Sequence, residues 1–186
     1  MQSNPALDGF SLTYDAGKPQ VMWTTFIADL DTPVSAMLKL AKNRPNSFLF
    51  ESVEGGKIRG RYSFIGLNPD LIWRCHGSKA EINRTALDGT DTYEPCIGKV
   101  LDSLRRLHVE SAIDLPHHLP PMAAGLIGYM SYDTVRLMEH LPNINSDPLG
   151  LPDGMFLRPT VIAIFDNIED TVTIVTPVRP QNGLNA

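Results

Sequence analysis

The sequence predicts an α+β fold, an antiparallel and strongly twisted β-sheet carrying two or three helices. Three observations predict it. Two consecutive hairpin patterns occupy residues 47–83, which favours an antiparallel meander. A third hairpin pattern joins residues 156–165 to 171–177 around Asp166-Asn167-Ile168-Glu169-Asp170. Two stretches, after Asp31 and from Pro95, repeat apolar residues at helical spacing.

Each element follows from its residues. Residues 1–20 are polar and rich in turn formers, and read as a loose arm with a short strand near residues 10–14. Residues 21–28 (VMWTTFIA) are β-branched and aromatic, hence a strand. Thr32 then caps a helix whose first position suits Pro33, because a missing N–H costs nothing there. Val34, Met37, Leu38 and Ala41 form its apolar face, and Asn43-Arg44-Pro45-Asn46 ends it. Strands follow at 47–53 and 61–67, separated by a flexible turn at Glu54-Gly55-Gly56-Lys57. Asn68-Pro69-Asp70 turns the chain into a hairpin of 71–75 with 80–83. Residues 95–108 give the clearest helix, with Ile97, Val100, Leu101, Leu104 and Leu107 in one stripe. A proline-rich connector fills 114–121. Residues 122–132 (MAAGLIGYMSY) read as a buried strand in which Gly125 and Gly128 mark a bulge or a close backbone approach. A short helix at 134–141, a loop at 143–154 and the last hairpin complete the pattern. The domain reading is an arm at 1–20, one domain at 21–178 and the start of a polar linker at 179–186.

Composition removes several function classes. The chain has 186 residues, 42% hydrophobic and 20% charged, too apolar for a disordered chain. No stretch reaches the ~18 apolar residues that span a bilayer, and Met1-Gln2-Ser3-Asn4-Pro5 does not open a secretory signal, so no membrane is expected. With 16 basic and 21 acidic residues the net charge is −5, which argues against nucleic acid as a partner. Cys75 and Cys96 are too few for a disulfide framework, and a reducing, cytoplasmic setting is the simplest reading.

Chemistry is sparse. His76, His108, His117, His118 and His140 include no i, i+4 metal pair with an acidic helper, and the cysteines show no zinc spacing. There is no Gly-x-Ser-x-Gly elbow and no phosphate-binding glycine loop. No catalytic residue and no metal ligand is assigned. The informative run is Phe50-Glu51-Ser52, followed after the glycine turn by Arg59, Arg61 and Tyr62. An amino-acid ligand needs an acceptor for its ammonium, donors for its carboxylate and an apolar slot. Glu51 or a carbonyl, Ser52 with Arg59 or Arg61, and Phe50 supply such a set. A plain cross-strand Glu/Arg pair explains the same residues. Neighbouring strand residues face opposite ways, so either Glu51 or Ser52 points at a ligand.

Four motifs in order carry a family resemblance. Phe48-Leu49-Phe50-Glu51-Ser52-Val53-Glu54-Gly55-Gly56 and then Gly60-Arg61-Tyr62-Ser63-Phe64-Ile65-Gly66 resemble the N-terminal region of the large subunit (component I) of anthranilate synthase. Gly125-Leu126-Ile127-Gly128-Tyr129-Met130-Ser131-Tyr132-Asp133 resembles that family's next signature strand. Leu151-Pro152-Asp153 with Phe165-Asp166, and upstream Thr32-Pro33-Val34-Ser35-Ala36, agree as well. The likeness runs from about residue 25 to residue 177.

The resemblance implies an enzyme, a lyase that makes anthranilate and pyruvate from chorismate and glutamine or ammonia in tryptophan biosynthesis. It implies a feedback site for L-tryptophan at Phe50, Glu51, Ser52, Arg61 and Tyr62, with Phe50 standing where Leu is usual. It implies Mg²⁺ in the full-length enzyme, bound outside this chain, and no cofactor within it. The implied partners are L-tryptophan as inhibitor, a glutamine amidotransferase subunit (component II) and a C-terminal chorismate-binding domain of the same polypeptide. The sheet would then be the N-terminal part of a larger chorismate-enzyme β-sandwich, leaving apolar surface for a homodimer. By the same resemblance this chain is regulatory rather than catalytic. Competing readings are the equivalent part of an aminodeoxychorismate or isochorismate-type synthase, and a free-standing small-molecule binding module.

Overall fold

A computed structural model describes residues 2–4, 7–42, 44–54, 58–142 and 146–180. Among them the chain runs β1 (Gln2–Asn4), α1 (Leu7–Asp15), β2 (Gln20–Ile27), α2 (Pro33–Ala41), β3 (Phe48–Glu54), β4 (Ile58–His76), β5 (Lys79–Asn83), β6 (Glu94–Pro95), α3 (Val100–Ser111), β7 (Ile127–Met130), β8 (Gly154–Asp166) and β9 (Thr171–Val178). Short 3-10 turns lie at Ala86–Asp88, Pro121–Ala123 and Tyr132–Leu137. The architecture is α+β, and the pairs β1/β2, β2/β9, β3/β4, β4/β5, β5/β6, β7/β8 and β8/β9 are antiparallel. No described helix is long and apolar enough to cross a membrane.

The chain divides into two compact units. The first comprises Met1–Pro69, Ile113–Gly125 and Pro159–Ala186. Its strands follow the order β1-β2-β9-β8-β4, with β3 added on β4. At 161–165 β8 is covered on both faces, which explains its unbroken apolar run. Ile162, Ile164, Phe64, Val21 and Val175 form one core with Leu119 of the connector and Ala123 of the 3-10 turn after it. Ala163, Phe165, Ile65 and Leu67 form the other with Ala36 and Ala41 of α2. The predicted cap on α2 is present, the Ser35 N–H donating to Thr32 Oγ1 at 3.1 Å.

The second unit comprises Asp70–Ala112 and Leu126–Arg158. Leu71, Trp73, Cys75, Ile82, Val100 and Leu107 make its core. The buried Trp73 indole N–H donates to Ser103 Oγ at 3.1 Å, and that hydroxyl donates to Val100 O at 2.7 Å. Arg158 forks onto both carboxylate oxygens of Asp70 at 2.8 and 2.9 Å.

Several elements differ from the sequence reading. The segment at 10–14 is helical, not a strand: Phe10 and Tyr14 stack at i, i+4 with ring centroids 6.0 Å apart inside α1. Asn68-Pro69-Asp70 does not end a strand. Asn68 takes φ 49°, a left-handed conformation Asn tolerates, and β4 runs on through it, 19 residues in all. The helix expected at 95–108 begins at Val100, because Gly98 at φ 84° breaks the helical path and Pro95 belongs to β6. Ile97 therefore leaves the stripe and is 88% exposed. On α2 the buried residues are Pro33, Ala36 and Ala41, while Val34 is 49% and Leu38 73% exposed. Small residues let the helix approach the sheet, and two overlapping stripes satisfy the same spacing. The strand expected at 122–132 shrinks to β7, of which Ile127 alone is buried. Gly128 keeps its expected role, since a Cβ there would lie 1.9 Å from Met155 O. The helix expected at 134–141 is the 3-10 turn Tyr132–Leu137.

Candidate functional site

The predicted ligand residues sit on the β3–β4 hairpin. Phe48 pairs with Gly66, Leu49 with Ile65, Phe50 with Phe64 and Glu51 with Ser63. Directly opposed residues share a face, and faces alternate along each strand. Leu49 packs with Ile65 in the core beneath α2, so Glu51 and Ser63 lie on that side. Phe48, Phe50 and Ser52 lie on the other, with Phe64 and Tyr62 of the opposite core. The sequence left open whether Glu51 or Ser52 faces the aromatic residues; Ser52 does.

This face has a definite shape. The Phe48 ring occupies the space beside Gly66, where a Cβ would meet it at 2.1 Å. The rings of Phe48 and Phe50 are 4.9 Å apart, and those of Tyr62 and Phe64 are 6.1 Å apart. Phe50 remains 41% exposed, an aromatic surface not consumed by the core. Beyond it the register shifts between Glu51 and Val53. There Ser52 lies across Gly60, where a Cβ would stand 2.1 Å from Ser52 Oγ. The glycine makes room for the hydroxyl.

Arg61 turns toward β8. Its Nε and Nη2 donate to Asp166 Oδ2 at 2.9 and 2.7 Å, and its guanidinium carbon lies 4.9 Å from the Tyr62 ring centroid. Hydrogen bonding to Asp166 holds the Arg61 pKa above its ordinary value. Burial alone would raise the Asp166 carboxyl. The Arg61 guanidinium and the backbone N–H groups of Ile168 and Glu169 outweigh it and hold the carboxyl below the usual range. Phe50, Ser52 and Tyr62 thus come together, Arg61 borders them in an ion pair, and Glu51 points away. The Arg59 side chain lies outside the described residues.

A ligand on this face has donors in Ser52 and Tyr62 and apolar area in Phe50. For its ammonium, backbone carbonyls serve better than Glu51: among the described residues β3 pairs only with β4, and its other edge is open. Sequence reasoning passed over Gly60 and Asn167. Gly60 was visible as a residue without Cβ beside the motif. Asn167 lies 107 residues from its partner Gly60 and gave no local signal.

Among the described residues no group of three or more His, Cys, Asp or Glu is placed to hold a metal ion. Asp133, Asp147 and Asp153 border a cavity of about 620 Å³ in the second unit. Asp133 is paired with Arg136, Asp147 accepts from the backbone of Leu149 and Gly150, and Asp153 accepts from Gly77 N–H. Each is already engaged by the protein, and they do not fit a Mg²⁺ site.

No protein-family model matches the chain. It is 50% identical over 181 residues to anthranilate synthase component 1 of Cereibacter sphaeroides, covering 97% of this chain and 36% of that protein. It is 39% identical over 157 residues to the protein of the same name from Thermus thermophilus, covering 83% of this chain and 31% of that one. The chain thus spans about a third of the length of the curated relatives it matches. The crystal structure of anthranilate synthase component I from Streptococcus pneumoniae superposes with a TM-score of 0.50 at 20% identity, covering 84% of this chain and 31% of that chain, which supports the fold. With half its residues identical across nearly its whole length, the chain belongs to the anthranilate synthase component I family, as an N-terminal region of such a protein.

Proposed function

We propose that this chain is the tryptophan-responsive, regulatory part of an anthranilate synthase that forms anthranilate and pyruvate from chorismate and an amino donor. The observation that carries the reading is the shared face of Phe50, Ser52 and Tyr62, an exposed aromatic surface with hydroxyls beside an open strand edge. An indole stacks on such a ring, and the amino-acid group reaches the Ser52 hydroxyl and the β3 backbone. Arg61, tied to Asp166 and packed against the Tyr62 ring, borders the ligand and fixes that ring in place. Glu51, on the other face, is not needed. Inhibition then requires tryptophan to bind one arrangement of the whole enzyme better than another, a coupling of typically about 1–3 kcal/mol.

The rest of the reading follows from family membership. Chorismate and Mg²⁺ would be bound by the part of the family's polypeptide that this chain does not match, and ammonia would come from a glutamine amidotransferase subunit. The setting would be cytoplasmic. The exposed Ile27, Leu30, Val34 and Leu38 favour association of the first unit with further protein, whether the remaining polypeptide or a second copy.

The test is a chimera in which this chain replaces the matched region of the Cereibacter sphaeroides enzyme. The chimera should turn over chorismate and be inhibited by tryptophan. Ser52→Phe should relieve inhibition at least tenfold, because a ring at 52 cannot lie across Gly60, and should leave turnover within about twofold. Undiminished inhibition in Ser52→Phe would rule the assignment out.

A further inference from the structure

We infer that Asp166 and Asn167, where β8 enters its turn, are positioning residues for the ligand face. They fix the backbone of Gly60 and Arg61 in the place where Ser52 can lie across it. The inference rests on the effector reading above and adds to it a control point on another strand.

The need for such a device is visible in the register. Ladder pairing fixes β3 on β4 as far as Glu51 opposite Ser63, and resumes with Val53 opposite Arg59. Between them Ser52 stands against three β4 residues, Gly60, Arg61 and Tyr62, and no regular pair sets its position. Ser52 is thus the one ligand-face residue of β3 whose place the ladder leaves undetermined.

The β8–β9 turn supplies what the ladder lacks. Asn167 Nδ2 donates to Gly60 O at 2.8 Å, and the Asn167 backbone N–H donates to Arg61 O at 2.8 Å. Asp166 Oδ2 takes both donors from Arg61. Its Oδ1 accepts from the N–H groups of Ile168 and Glu169 at 3.0 and 3.3 Å, so one carboxylate shapes the turn and holds the arginine. Two consecutive carbonyls and one side chain of β4 are therefore gripped from a single dipeptide. There is no slack on the far side. A Cβ at Gly60 would sit 2.1 Å from Ser52 Oγ, 2.3 Å from its Cβ and 2.9 Å from its carbonyl oxygen. A displacement of Gly60 by a few tenths of an ångström is transmitted to Ser52 by contact.

The experiment uses the ¹⁵N-labelled 186-residue chain with L-tryptophan as probe. Asn167→Ala should speed hydrogen exchange at the amides of Ser52, Gly60 and Arg61 at least tenfold. Exchange at the core residues Ile162 and Val175 should stay unchanged. The same variant should raise the Kd for tryptophan at least fivefold. Thr173→Ala, on the same hairpin, removes the hydroxyl contact of Thr173 with Thr25 of β2, and should do neither. If Asn167→Ala fails to fold, Asn167→Asp keeps the backbone donor, loses only the donation to Gly60 O, and is read in the same way. Exchange rates at 52, 60 and 61 equal to those of the unaltered chain would overturn the inference. So would an unchanged Kd despite a loosened backbone. If the unaltered chain shows no response to tryptophan, the effector reading fails, and the exchange rates alone still decide the clamp.

Discussion

At Ser52 a single hydroxyl is placed by the absence of a neighbour's side chain, while at Cys75 a single thiol is silenced by its surroundings. Alternation in the sequence says that Glu51 and Ser52 face opposite ways; it does not say which faces the aromatic residues. Leu49 resolves the question by packing with Ile65, a contact made only once the second strand is in register. Cys75 is fully buried in the second core. Burial, and after it the Asp153 carboxylate, push its thiol up to about 11. The native state therefore keeps a proton that an unfolded chain releases near pH ~8.5. Its contribution to stability is complete below about pH 8.5 and drains as pH rises toward the native value. Urea midpoints should fall between pH 8 and pH 10, and Cys75→Ala should remove part of that slope. In the native chain iodoacetamide should label Cys96, which is partly exposed, well before Cys75. Equal labelling rates would contradict this burial.

Elements were legible where local chemistry acts alone. Thr32 and Pro33 fix the start of α2, and the two-residue turn Gly77-Ser78 closes β4 on β5 with Gly77 at φ 52°. They were misread where a longer-range partner decides. The stripe that began at Ile97 is cut by Gly98, because Pro95 pairs with Glu81 of β5 and Cys96 N–H donates to Ala80 O at 2.8 Å. That pairing draws Glu94–Pro95 into strand geometry and delays the helix to Val100. The two apolar residues, equivalent in the sequence pattern, should thus differ sharply. Leu107→Ala should cost roughly 2–5 kcal/mol of unfolding free energy, whereas Ile97→Ser should cost less than about 0.5 kcal/mol. Urea unfolding of both variants checks the pair; comparable losses would restore Ile97 to the stripe. The kink at Asn68 has the same character. Its three residues read as a turn, but Thr160 Oγ1 donates to Asn68 O at 2.7 Å from 92 residues away, and the strand runs on.

At the scale of the whole molecule, two units with separate cores are threaded by the same long strands, since β4 and β8 each contribute residues to both. The face proposed to take the ligand belongs entirely to the first unit, as do the turn that grips it and the connector that backs it. Family and fold class were readable because four motifs and three hairpin patterns are local. The grip of Asn167 on Gly60 was not, because nothing in the composition of a turn announces a partner 107 residues away. The first unit should accordingly carry ligand response without help from the second. The most direct measurement is a titration of the ¹⁵N-labelled chain with L-tryptophan, using L-phenylalanine as control. Saturable shifts confined to Phe50, Ser52 and 60–64, absent with phenylalanine and absent from Leu71, Trp73 and Leu107, are the expected result. Shifts centred on the second unit, or identical responses to both amino acids, would contradict a tryptophan site on the β3–β4 face.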